Sequence, residues 1–126
     1  MKSTEFLIES YEQHRQSIDT FIKWVYEKLH IQSPLPKLEF SDEKEGNDQK
    51  RTGWYNFETN TLWVYTGHRN LIDILRTVAH ELAHHKQREE DETKHTAPLS
   101  QVESEADQAA GMLIKIYVRS HPEIIQ

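Results

Sequence analysis

The hydrophobic pattern of this chain changes period sharply near residue 70. Residues 53–57 and 61–66 carry Trp54, Tyr55, Phe57, Leu62, Trp63, Val64 and Tyr65 around the connector Glu58-Thr59-Asn60, a composition suited to two strands of a half-buried sheet. From residue 70 to 88 the spacing becomes helical, with Leu71, Ile74, Leu75, Val78 and Leu82 on one stripe. Strands that give way to an amphipathic helix without an intervening repeat read as an α+β domain.

The flanks extend this reading. Residues 4–30 place Ile8, Tyr11, Ile18, Phe21, Ile22, Val25 and Leu29 at helical spacing, and Pro34 and Pro36 are expected to stop that first helix. Residues 37–40 form a short extended candidate. Residues 41–51 are a charged loop around Gly46-Asn47. A polar loop over residues 88–98 ends at Pro98, and a last helix runs from about Ser100 to Ser120, closed by His121-Pro122. Ser100 is a candidate N-cap, with Glu103 at capping-box spacing. The expectation is one domain over residues 1–126: an N-terminal helix, a small, mainly antiparallel sheet, and two further helices.

Composition narrows the function. The net charge is -6 and Lys and Arg are not clustered, which argues against a nucleic-acid groove or an anionic membrane surface as partner. Cysteine is absent, which removes disulfides, thiolate metal sites and a cysteine nucleophile together. The first residues lack a signal peptide's apolar run, and no stretch approaches the ~20 apolar residues of a membrane span, so a cytoplasmic location is expected.

The chemistry concentrates in residues 80–84, His-Glu-Leu-Ala-His. Two histidines at i and i+4 project from one face of a helix and can share a metal ion, and the Glu between them can activate a water as general base. His80 and His84 point roughly opposite to the apolar stripe, so they face either water or a second layer. A catalytic zinc site takes three protein ligands and keeps a position open. The third comes from the last helix, which reads Glu103-Ser104-Glu105-Ala106-Asp107. Glu103 and Asp107, at i and i+4, share a face: Glu103 to ligate the metal, Asp107 to accept a hydrogen bond from the free nitrogen of a ligand histidine. Ala106, Ala109, Ala110 and Gly111 would let this helix approach closely.

His80-Glu81-x-x-His84 followed by Glu103-x-x-Ala106-Asp107 resembles the gluzincin clan of zinc peptidases, and the chain's length is similar to that of the minigluzincins. The resemblance implies a zincin-like domain with an active-site helix and a glutamate helix, holding Zn2+ on His80, His84 and Glu103. Glu81 would be the general base, Asp107 the carboxylate behind a ligand histidine, and a peptide or protein the substrate. It also implies an edge strand beside the cleft that pairs with substrate backbone, expected at residues 62–65, and self-inhibition by a chain terminus or a dimer partner. The tail from His121 to Gln126, with Ile124 and Ile125 after Pro122, could occupy the cleft in extended form or simply fray.

Alternatives stay open at this point. His95, in the loop after the motif, could be the third ligand of a three-histidine site or steady the oxyanion. Glu103 could serve only as a capping-box residue. His85 and Lys86 depart from the uncharged or apolar residues usual after the motif, and Tyr117, about 21 Å along the axis from Glu103, reads as core. A non-catalytic metal-binding interaction or scaffolding protein on a zincin fold is the rival reading.

Overall fold

Ile18, Phe21, Ile22 and Val25 are all buried along one side of α1 (Ser3–Leu29) in the computed structural model, which describes residues 3–43, 51–90 and 98–125, with side chains from 14 to 124. Helix α1 ends well before Pro34. His30 adopts a left-handed φ of 54°, Ile31 N–H bonds to Tyr26 C=O at 3.0 Å and His30 N–H to Glu27 C=O at 3.3 Å. This is a Schellman termination in which histidine takes the place usual for glycine.

Three strands follow: β1 (Lys37–Ser41), β2 (Gly53–Asn56) and β3 (Thr61–Tyr65). The order is β1-β3-β2, with β1 parallel and β2 antiparallel to β3. The sheet is therefore mixed rather than mainly antiparallel. Residues 62–65, expected at the edge, are instead its centre. The reason lies in Leu62, Trp63 and Val64, which are buried on both faces, as an uninterrupted apolar run in a central strand should be. The edges are β1 and β2.

Helix α2 (Leu71–Glu90) starts where Asn70 Oδ1 accepts from Asp73 N–H at 3.0 Å. Its main neighbour is α3 (Leu99–Ser120), and it also touches α1, β2 and β3. The shared core holds Phe21, Val25, Leu62, Val64, Ile74, Leu75, Val78, Leu82, Leu113 and Ile114, and Tyr117 is buried within it. Helix α3 begins one residue earlier than expected, with Pro98 at the N-cap (φ -58°, ψ 143°) and no side-chain cap bond, so Ser100 sits inside the first turn and forms no capping box with Glu103.

The described residues after α3 are not extended. Pro122–Ile125 forms a 3-10 turn, and Ile124 packs on the core beside Gln16, Thr20, Leu75 and Tyr117. Among the described residues no helix is long and apolar enough to cross a membrane. Gly46-Asn47, His95 and the acidic residues 91 and 92 lie outside the described residues.

Candidate metal centre

A helical turn separates His80 from His84 on α2, and their rings meet edge to face with centroids 4.8 Å apart. The layer they face is α3. Its close approach depends on Ala106 and Ala110, both buried; Ala109 is only half-buried and Gly111 is exposed. Across that contact Glu103 spans the two histidines. Its Oε2 lies 3.1 Å from His80 Nε2 and its Oε1 lies 3.0 Å from His84 Nε2.

The far side of each ring is held as well. Asp107 Oδ1 lies 2.9 Å from His80 Nδ1. Gln87 Oε1 lies 2.8 Å from His84 Nδ1. Gln87's orientation is set by its own amide, whose Nε2 donates to Val102 C=O on α3 at 3.0 Å, leaving the oxygen toward His84. Acceptors therefore face both nitrogens of each ring, and a cation between the rings and Glu103 would let each Nδ1 donate to Asp107 or Gln87 while each Nε2 turns its lone pair to the ion. Asp107 was legible from its i, i+4 relation to Glu103. Gln87 was not singled out as a partner, although its i+3 spacing from His84 on the same helix was the available signal.

Glu81 occupies a different position from Glu103. It is 5% exposed. Burial, together with the Glu103 and Asp107 carboxylates, pushes it up to about 8 against the opposing pull of Arg51. A buried carboxyl of this kind, close to two further acids and two imidazoles, is an arrangement that a cation relieves. One ligand atom each from His80, Glu81 and His84 lie within 4.8 Å of one another, so this group could hold a metal ion. Two imidazoles and a carboxylate form a donor set that suits a first-row divalent metal.

Gly53 of β2 allows the strand to lie against Glu81. A Cβ there would stand 2.5 Å from Thr77 Cγ2 and 3.1 Å from Glu81 Oε2. The next histidine, His85, belongs to the core: it is 0% exposed, with Nδ1 3.1 Å from the Tyr55 hydroxyl and Nε2 3.1 Å from the Ser33 hydroxyl. Burial lowers its affinity for a proton.

The structure thus brings together all five residues singled out from the sequence: His80, Glu81, His84, Glu103 and Asp107. Comparison with protein families, curated proteins and solved structures finds no match for this chain. Its functional reading rests on the geometry of these side chains.

Proposed function

We propose that this protein is a zinc-dependent peptidase of the gluzincin type on a zincin-like fold, with His80, His84 and Glu103 as ligands and Glu81 as general base. The observation that carries the reading is the Glu103 carboxylate spanning both Nε2 atoms while Asp107 and Gln87 hold both Nδ1 atoms. Opposed side chains arranged in this way orient the rings toward one point before any ligand arrives. Zinc bound there would supply Lewis acidity at a peptide carbonyl and acidify a water.

The protein's own groups supply the remainder. Glu81 takes the proton of the attacking water and returns it to the leaving amine, and a cation beside it would offset the carboxylate repulsion that raises it in the metal-free site. Edge strand β2 offers main-chain groups beside the site on which an extended peptide can pair. A peptide or protein is accordingly the proposed substrate.

One observation favours the second reading, a non-catalytic metal-binding protein. Glu81 lies close enough to the histidines to be a ligand itself. With Glu103 it would complete four protein ligands, the closed shell of a structural site. Metal analysis of the purified protein and of Glu81→Gln, alongside digestion of a peptide library, separates the two. Zinc retained with hydrolysis lost supports the peptidase; zinc lost with Glu81 supports the closed site.

A further inference from the structure

Two pockets that differ in their side chains flank His80 and Glu81. One, of about 330 Å³, is bounded by Thr52, Arg76, Thr77 and Asp107. The other, of about 430 Å³, has apolar walls from Trp54, Tyr55, Phe57, Leu99 and Val102. Arg51 lines it too. Leu99 is 76% exposed, the most of the large hydrophobic residues among those described. Together with the aromatic side chains beside it at the rim of the site, it forms a contiguous apolar surface suited to an apolar group.

We propose that the larger pocket sets the specificity of the cleft and takes a large apolar side chain, aromatic or leucine-like, from the N-terminal side of the scissile bond. The proposal rests on the peptidase reading for the bond cleaved, but not for the pocket's preference.

The direction follows from strand register. Tyr65 N–H donates to Thr52 C=O at 2.8 Å, which makes Thr52 and Tyr65 a hydrogen-bonded pair. Alternation along an antiparallel ladder then gives the same role to the Trp54–Trp63 and Asn56–Thr61 pairs. Gly53 and Tyr55 are left with N–H and C=O directed away from β3, toward the open edge. Along β2, Gly53 lines both pockets, and Trp54, Tyr55 and Phe57 after it line the larger one alone, so this strand runs toward the larger pocket. A peptide pairing antiparallel to it, the more stable sense, comes from the larger pocket and passes His80 and Glu81 toward the smaller one. Its N-terminal half therefore meets Trp54, Phe57 and Leu99.

The test uses end-blocked alanine- and glutamine-based octapeptides that differ only in one central residue, Phe or Ser. Each is titrated into zinc-loaded Glu81→Gln protein with tryptophan fluorescence as the readout, and incubated with wild type for product analysis by mass spectrometry. The Phe peptide should bind about 10- to 100-fold more tightly than the Ser peptide, the advantage expected from burying one aromatic side chain. Leu99→Glu, a change at an exposed position in the first turn of α3, should remove most of that advantage. Wild type should cut on the C-terminal side of the Phe. Equal affinities, an advantage that survives Leu99→Glu, or cleavage confined to the N-terminal side of the Phe would each overturn the proposal. Preferential binding with no cleavage by wild type overturns the peptidase reading and leaves the pocket's preference standing; cleavage without preference does the reverse.

Discussion

Gln87 ties His84 to the opposite helix. It accepts from His84 Nδ1 at 2.8 Å and donates to Val102 C=O at 3.0 Å, so the rotation of a candidate metal ligand is set by the backbone of α3. Asp107 does the corresponding work for His80 with a charged oxygen.

Replacing either partner should weaken the metal without abolishing it. Gln87→Ala and Asp107→Ala are each expected to lower zinc affinity about 10–100-fold. Chelator competition against a zinc indicator measures this. Unchanged affinity in both variants would show that the rings need no outside support.

Glu103 and Glu105 provide an internal control on α3. Glu103→Ala should bring zinc below one equivalent per chain at micromolar concentrations, because it removes a ligand. Glu105, which accepts from Gln101 at 3.1 Å on the exposed side, should be replaceable by Ala without loss of metal. Equal zinc content in the two variants, by elemental analysis, would sink the ligand assignment.

Glu81→Gln should keep zinc and fold while reducing peptide hydrolysis by at least about 100-fold, the lower end of general-base contributions. Digestion of an unbiased peptide library by both proteins checks it. Identical digests would place the activity elsewhere.

Gly53 gives a stability prediction with a built-in rescue. Gly53→Ala drives a methyl group into Thr77 Cγ2, and the overpacking should cost about 1–3 kcal/mol in urea unfolding. Thr77→Ser removes that methyl and keeps Oγ1, which accepts from Arg69 at 2.7 Å and donates to Asp73 C=O at 3.2 Å. The double variant should recover most of the loss. A double variant no more stable than Gly53→Ala would mean that the strain lies elsewhere.

Much of this site could be read from the sequence because its residues lie on two helices, where i, i+3 and i+4 spacing fixes shared faces without tertiary information. The helical boundaries of α2 and the grouping of His80, His84, Glu103 and Asp107 depend on little else. Strand order was not legible in the same way. Both edges of β3 are paired, and no spacing in the sequence announces its parallel partner β1, so the edge expected at residues 62–65 from the resemblance is the sheet's centre. The end of α1, expected at residue 30, falls at Leu29; the prolines mark only where a helix must have stopped, whereas the left-handed φ of His30, which no pattern announces, sets where it does stop.

Glu89 predicts a pH response away from the candidate metal centre. Burial alone would raise its carboxyl, but hydrogen bonds from Ser33, Lys86 and Gln32 outweigh it and hold it at about 2. A carboxyl depressed in the folded state stabilises the fold above its ordinary value of 4.5, and that contribution is lost as pH falls toward 2. Glu89→Gln should therefore cost about 1–2 kcal/mol at pH 7, in the range for hydrogen bonds to a charged group, with the gap from wild type narrowing below about pH 4. Urea unfolding at pH 7 and pH 3 tests this. A gap of the same size at both values would rule out the charge as its source.

Helix α2 carries three imidazoles, and the one at position 85 is locked between Tyr55 and Ser33. Adjacent histidines ordinarily invite coordination isomers, in which an ion settles on the wrong nitrogen pair and must later migrate. Here the competitor is withdrawn by the folded polypeptide itself, at no cost in side-chain volume. On the proposed metal-binding reading, uptake becomes a docking event on a preset address rather than a search among isomers, and its kinetics should show a single phase with no slow rearrangement.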